Sequence, residues 1–107
     1  MSGKEQGFIK EAFDTNWVVP LGPNVNAFEE DLKRFVGEGK EVVALSAGTA
    51  AVHLALLACG VGQGDEVMVQ SFTFCASSHP MTYLGATPVF VDSEGDTWNM
   101  DPQLLEA

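Results

Sequence analysis

Residues 41–60, with the sequence EVVALSAGTAAVHLALLACG, constrain the fold of this chain more than any other stretch. The apolar, β-branched run at residues 42–45 predicts a strand buried on both faces. A turn of small residues at 46–49 follows, and the apolar segment from Ala50 to Cys59 is long enough for about three helical turns. This order directs several backbone N–H groups at one point, where the helix dipole favours a negative charge. The stretch predicts a phosphate site, with an ordinary tight strand-to-helix turn as the alternative interpretation.

The charge distribution limits how such a phosphate could be held. The chain has 15 acidic and 5 basic residues and a net charge of −10, which argues against nucleic acid and anionic membranes as partners. All five lysine and arginine residues lie at or before Lys40. A phosphate bound by later residues must therefore rely on backbone and hydroxyl donors, or on a basic residue from elsewhere.

Composition places the chain among globular proteins, since 46% of its 107 residues are hydrophobic and 19% are charged. No apolar run approaches the roughly 20 residues of a membrane span, and no signal-peptide pattern follows Met1, so we expect a cytoplasmic protein. Cys59 and Cys75 are expected to be reduced core residues. His53 and His79 belong to no cluster with ligand spacing, so no metal site is predicted.

Two amphipathic helices are predicted before this stretch. Residues 4–14 place apolar side chains at helical spacing with charges between them. A second helix is predicted over about residues 26–36, with Asn24 or Asn26 as its N-cap and with Gly37 and Gly39 after its end. Its expected buried stripe consists of Phe28, Leu32 and Phe35.

Strands and helices alternate after Gly60. The remaining predicted elements are a strand at 67–69, a helix at 75–84, a strand at 88–92 and a helix with Asp101 as its cap and Pro102 at its first position. Together with the strand at 42–45, this order predicts an α/β domain in which helices cover both faces of a mainly parallel sheet, a three-layer αβα arrangement.

The predicted topology also places a ligand site. Ligands of open parallel sheets bind beyond the carboxyl ends of the strands. In this chain those ends lead into residues 46–49, residues 71–74 and Asp92, and the three segments carry the polar residues expected at the site.

Several consecutive blocks resemble one protein family. LSAGTAAVHLALLACGVGQGDEV, VQSFTFCAS, GATPVFVD and DTWNMDP are similar to successive segments of the DegT/StrS-type sugar-nucleotide aminotransferases, and NWVVPLGPNVNAFEEDLKRF resembles the segment before them. The resemblance implies a pyridoxal 5'-phosphate (PLP) enzyme of the aspartate aminotransferase fold. Residues 1–107 would then be a single partial domain, with amino-terminal helices over 4–36 and the start of the PLP-binding large domain over 41–107.

The resemblance also implies roles for four residues. Gly48, Thr49 and Ala50 match the family's phosphate-binding turn, where backbone N–H groups and the threonine hydroxyl hold the PLP phosphate. Phe74 matches the aromatic residue that stacks on the pyridine ring, since a planar ring needs a flat apolar face. Gln70 departs from the proline that is common at its position.

No catalytic residue is expected within this sequence. Such enzymes need a lysine that bonds to the cofactor and an acid opposite the pyridine nitrogen, and in the family both lie beyond position 107. None of the lysines present follows a matching motif, and Asp92 is interpreted as a cap or loop anchor. The 107 residues alone are therefore expected not to transaminate.

The activity implied by the resemblance is transfer of an amino group, from glutamate as donor, to a nucleotide-linked keto-sugar for surface polysaccharide or glycan biosynthesis. Family members are homodimers with their sites at the interface, so a second copy is an implied partner. Two alternatives remain at this point: a fold-related PLP enzyme such as a lyase or desulfurase, and a non-catalytic regulatory homologue.

Overall fold

The computed structural model describes residues 2–37 and 39–107 and contains two compact units. The first unit ends at Ala44 and the second begins at Leu45. The first contains two helices, α1 (Glu5–Asp14) and α2 (Pro23–Val36). Both helices were predicted, and α1 has the predicted bounds to within one residue.

Helix α2 begins earlier than its apolar pattern indicates. Gly22 is the N-cap and Pro23 is the first helical residue, so the prediction of Asn24 or Asn26 as the cap is wrong. Proline suits the first position because its fixed φ fits the helix and its missing N–H would have no intrahelical acceptor there. Gly37, with a φ of 103°, ends the helix as predicted.

The apolar stripe of α2 is not buried in this unit. Phe28, Leu32 and Phe35 are 54%, 36% and 87% exposed, so the prediction of a buried stripe is wrong. Helical periodicity identifies the apolar face, but burial requires a second element against that face. A polar contact joins α2 to the end of the unit: the Glu29 carboxylate accepts a hydrogen bond from the Ala44 N–H at 2.7 Å.

The second unit is built around a parallel pair of strands. Its elements in chain order are α3 (Gly48–Ala58), β1 (Glu66–Gln70), a 3₁₀ helix (Cys75–Ser77), α4 (His79–Tyr83), β2 (Thr87–Val91) and α5 (Pro102–Leu105). β1 pairs with β2 in register, from Glu66 opposite Thr87 to Gln70 opposite Val91. The 3₁₀ helix and α4 supply the crossover between the two parallel strands, as in a βαβ unit.

The core of the second unit joins the sheet to α3 and α4. Val69 of β1, Met81 of α4 and Ala86 before β2 are buried together. Leu56 of α3 and Val61 of the following turn are partly buried against them. Each fully buried aliphatic side chain contributes about 1.5–3 kcal/mol by leaving water. These contacts hold the carboxyl ends of β1 and β2 at a defined place beside α3.

Residues 42–45 do not form a strand, so this prediction is wrong and the described part of the chain has two paired strands, not three. A strand exists through hydrogen bonds to a neighbour. β1 and β2 pair with each other, and residues 42–45 cross the boundary between the two units. Within the described residues, the apolar, β-branched segment 42–45 therefore has no neighbouring strand to which it could form hydrogen bonds.

The helix predicted over 75–84 is divided. The chain forms one 3₁₀ turn, and α4 then begins at His79 with Pro80 in its first turn. Proline cannot donate an intrahelical N–H and disfavours a helical residue before it, so it marks a helix start here. Gly85, with a φ of 77°, follows α4 as the predicted end.

The two cysteines are free, as predicted, but both are exposed, so their expected core placement is wrong. Cys59 is the C-cap of α3, and Cys75 begins the 3₁₀ helix. Helix α3 is apolar on all sides, so sequence pattern alone could not identify its buried face. In the described ranges, no helix has the length and apolar character needed to cross a membrane, and no cluster of three potential metal ligands occurs.

Candidate functional site

Helix α3 begins directly after the small-residue turn. Ala47 is extended at the N-cap, with φ −161° and ψ 160°, and its carbonyl accepts the Ala51 N–H at 3.1 Å. Helix geometry leaves the preceding N–H groups, those of Gly48, Thr49 and Ala50, without an intrahelical acceptor. Within residues 2–37 and 39–107, no side chain caps this end. The turn therefore presents free backbone donors along the helix axis.

The space over this turn is open. A Cβ placed on Gly48 would meet no atom within 4 Å. Thr49 and Ala50 are half-buried, whereas Ala47 and Gly48 are exposed. Because residues 45–107 contain no lysine or arginine, the favourable charge that this unit itself supplies at the turn comes from the helix end. The donor set, backbone N–H groups with one hydroxyl, fits a phosphate group.

Phe74 lies in the segment between β1 and the 3₁₀ helix. The 3₁₀ helix packs against α3. Its backbone is extended and its carbonyl accepts the Ser77 N–H at 2.9 Å. The Phe74 ring is 76% exposed. An exposed phenyl ring offers a flat apolar face to a planar ligand. The fold thus connects Phe74 to a segment that contacts the helix bearing Gly48, Thr49 and Ala50.

Asp92 joins the ends of the two strands. Its Oδ1 atom accepts the Ser71 hydroxyl at 3.1 Å and the Ser93 N–H at 2.8 Å. Its carbonyl accepts the Asp101 N–H at 2.9 Å. These bonds agree with its interpretation as a loop anchor. The segments 71–74 and Asp92 therefore follow strands as predicted, whereas residues 46–49 do not, because no strand precedes them.

A cleft of about 330 Å³ lies at the carboxyl ends of β1 and β2. Its walls are Ser71, Phe72, Asp92, Ser93, Glu94, Gly95 and Trp98. The rings of Phe72 and Trp98 meet at a centroid distance of 5.5 Å and an angle of 50°. Sequence reasoning missed this pair, because the two residues belong to different loops and no periodic pattern links them.

Glu94 organises the loop on one side of this cleft. Its carboxylate accepts the Thr97 hydroxyl, the Asp96 N–H at 2.6 Å and the Thr97 N–H at 2.9 Å. These bonds, led by the Thr97 hydroxyl, lower the pKa of Glu94 because they stabilise its charged form. Glu94 therefore keeps its negative charge to lower pH than a carboxylate without these hydrogen bonds would.

His53 and His79 have structural positions. His53 is half-buried on α3, and its ring meets the Tyr83 ring of α4 edge-on at 5.5 Å between centroids. This contact helps to hold α3 against α4. His79 is the first residue of α4 and precedes Pro80 in its first turn.

Comparison with known proteins decides the family. The sequence model of the DegT/DnrJ/EryC1/StrS aminotransferase family matches residues 1–107. The chain belongs to this family. The family recognised from the sequence blocks around the α3 turn and the β1 and β2 loops is therefore confirmed.

Two curated proteins of known name are similar in sequence to this chain. It is 57% identical over 106 residues to Bacillus subtilis EpsN, which is named as a candidate pyridoxal phosphate-dependent aminotransferase, and the match covers 99% of this chain and 27% of EpsN. It is 43% identical over 107 residues to the GDP-perosamine synthase of Caulobacter vibrioides, covering 100% of this chain and 29% of that protein.

A solved structure supports the fold. The PLP form of Spr1654, a candidate sugar aminotransferase from Streptococcus pneumoniae, matches with a TM-score of 0.78 and 40% identity. The match covers 92% of this chain and 25% of that one. The expected fold class, a partial α/β domain of a PLP-dependent aminotransferase, is confirmed. The chain spans about a quarter of the length of the relatives it matches.

Proposed function

We propose that residues 1–107 are the amino-terminal part of a PLP-dependent aminotransferase that transfers an amino group, from glutamate, to a nucleotide-linked keto-sugar for surface polysaccharide or glycan biosynthesis. The observation that carries the proposal is the family match along the whole chain. The names of the three similar proteins support it, since they specify a PLP-dependent aminotransferase, the synthesis of a GDP-linked sugar and a sugar aminotransferase in its PLP form.

In this proposal the amino end of α3 holds the PLP phosphate. The N–H groups of Gly48, Thr49 and Ala50 and the Thr49 hydroxyl donate to the phosphate oxygens, and the helix dipole favours their charge. Phe74 packs against one face of the pyridine ring and fixes its tilt. The chemistry that bound PLP supplies is an electron sink for a carbanion. The described residues bind the cofactor and orient its ring.

Proton transfer is assigned to residues outside this chain. A lysine that bonds to the cofactor and an acid opposite the pyridine nitrogen are needed, and the family resemblance implies that both lie beyond position 107. We propose that residues 4–36 form amino-terminal helices and residues 41–107 the start of the PLP-binding domain. We further propose that the full-length gene product is a cytoplasmic homodimer, with the second copy contributing to each site.

The direct test is cofactor binding by the full-length gene product. We expect purified protein that has been incubated with PLP and then freed of unbound PLP to show an absorbance band at the edge of the visible range, and glutamate to remove this band as its amino group is transferred. A nucleotide-linked keto-sugar should then restore the band. Absence of any band from a protein whose downstream sequence contains the expected lysine would refute the proposal.

A pair of variants tests the phosphate turn separately. Thr49→Val removes the hydroxyl proposed to bind the phosphate and keeps the β-branched shape, so PLP affinity should fall by about 3- to 10-fold. Thr87→Val makes the same change at an exposed position of β2, away from the turn, and should leave affinity unchanged. Equal affinities of both variants for PLP would contradict the assignment of Thr49.

A further inference from the structure

A side chain with no part in the proposed function joins the carboxyl ends of β1 and β2. The side-chain amide of Gln70, the last residue of β1, donates to the Trp98 carbonyl at 2.6 Å and to the Ser93 hydroxyl at 3.3 Å. Gln70 is half-buried; its bond to the Ser93 hydroxyl is partly buried, whereas its bond to the Trp98 carbonyl is exposed. The loop after β1 and the loop after β2 are thus tied together.

Trp98 adopts a conformation that needs such support. Its φ is 63°, in the left-handed region that bulky residues rarely adopt. Such conformations persist where the surrounding structure determines them. Here two contacts with Trp98 come from β1 and its loop: the Gln70 amide binds the Trp98 carbonyl, and the Phe72 ring meets its indole at 5.5 Å between centroids.

The same loop carries Phe74. The Thr73 N–H donates to the Ser71 carbonyl at 3.1 Å, and the Thr73 hydroxyl lies 2.8 Å from the Ser77 hydroxyl. The backbone is therefore held on both sides of Phe74, by the tie at Gln70 before it and by Ser77 after it. Since the Phe74 ring is 76% exposed, its direction depends on this backbone more than on packing around the ring.

We propose that Gln70 is a positioning residue. Acting through Trp98 and Phe72, it fixes the loop that carries Phe74 and thereby sets the tilt of the Phe74 ring against the cofactor ring. Gln70 does not itself touch the cofactor. The inference rests on the proposed function, because it requires PLP against Phe74.

The test compares two glutamine variants of the full-length gene product. Gln70→Met keeps the side-chain length and removes the donor, whereas Gln63→Met makes the same change at an exposed glutamine in the turn before β1. Fluorotryptophan labelling, with the Trp98 signal assigned by Trp98→Phe, reports the loop by fluorine NMR without any cofactor. Visible circular dichroism and the dissociation constant of PLP report the cofactor.

We expect Gln70→Met to shift or broaden the Trp98 signal, to alter the visible circular dichroism of bound PLP and to weaken PLP binding by about 3- to 10-fold. Gln63→Met should match the wild type in all three measurements. A shifted Trp98 signal with normal circular dichroism and normal PLP affinity would show a purely structural bond and overturn the proposal.

An unchanged Trp98 signal in Gln70→Met would show that Gln70 does not hold the loop, and would overturn the proposal. The wild type distinguishes these failures from failure of the proposed function. A wild type that binds no PLP refutes the function and removes the cofactor role of Gln70 with it. A wild type that binds PLP, with Gln70→Met identical to it in every measurement, refutes the role of Gln70 alone.

Discussion

Gly85, between α4 and β2, provides a quantitative test of the packing that supports the site. Its φ is 77°, and a Cβ added to it would lie 3.3 Å from the Gln63 Cβ and 3.4 Å from the Gln63 Cα. Its N–H donates to the Thr82 carbonyl at 3.1 Å, and its carbonyl accepts the Gly64 N–H at 3.4 Å. Gly85→Ala therefore introduces both an unfavourable left-handed residue and a close contact with the Gln63 Cβ.

The two effects have separable magnitudes. A non-glycine residue in the left-handed region costs about 1–2 kcal/mol. The contact with the Gln63 Cβ adds about 1–2 kcal/mol, because a Cβ is fixed by its own backbone and cannot rotate away as the end of a side chain could. Gly85→Ala should then lower the free energy of unfolding by about 2–4 kcal/mol. Gly60, with a φ of 83° and no atom within 4 Å of its added Cβ, is the matched control, and Gly60→Ala should cost the conformational part alone.

Urea unfolding followed by far-ultraviolet circular dichroism measures the difference. With a slope of about 2 kcal/mol per M, the midpoint should fall by about 1–2 M for Gly85→Ala and by about 0.5–1 M for Gly60→Ala. Equal shifts of the urea midpoint in the two variants would show that the turn at Gln63 moves away from the new Cβ without loss of stability, and would refute the close-contact argument. A Gly85→Ala variant as stable as the wild type would refute the conformational argument as well.

Two further predictions concern the loop after β2. Asp101→Ala removes the carboxylate that accepts the Gln103 N–H at 2.8 Å, so the start of α5 should lose about 1 kcal/mol, measured as faster hydrogen exchange at Gln103. Hydrogen bonds from Thr97 and the backbone lower the pKa of Glu94. Their stabilisation is therefore present above the ordinary carboxyl pKa and is lost as pH falls through the lowered value. NMR titration of the Glu94 carboxyl should show this midpoint, and Thr97→Val should raise it; an unmoved midpoint would contradict the stated cause.

Features that depend on neighbouring residues in the sequence were predictable. Asp101 caps α5 and Gly37 ends α2 as expected, because a cap is set by one side chain or one backbone angle close to the helix end. β1 and β2 were predicted for a similar reason, since each is a short apolar run between turn signals. The start of α2 at Gly22 and Pro23 could also be predicted, because proline is preferred at the first helical position. The prediction of Asn24 or Asn26 as the cap follows instead from the preference for asparagine at N-caps.

Features that depend on a distant partner were not predictable. An apolar face such as that of Phe28 and Phe35 indicates what a helix could bury, but not what covers it, and residues 42–45 have a strand sequence without a strand beside them. The tie from Gln70 to Trp98 is of the same kind. It joins residues from two loops through a side-chain amide and a carbonyl, and no spacing rule relates them. Gly48, Thr49, Ala50 and Phe74 remain predictions as cofactor ligands, supported by the family match and by their accessible positions.

The phosphate turn at α3 leads to a final prediction about residues 1–107 alone. Hydrogen bonds from this turn to an ionised phosphate are charge-assisted, yet the turn offers only backbone N–H groups and the Thr49 hydroxyl, without a cationic side chain, in a chain of net charge −10. Phe74 covers one face of a bound ring at most. PLP should therefore bind the 107-residue chain weakly or not measurably, as judged by equilibrium dialysis. Added salt should not weaken any residual binding, because it screens repulsion between the phosphate and the acidic chain. A tight, stoichiometric complex would contradict this prediction, and would mean that the helix end and the aromatic face outweigh that repulsion without a cation.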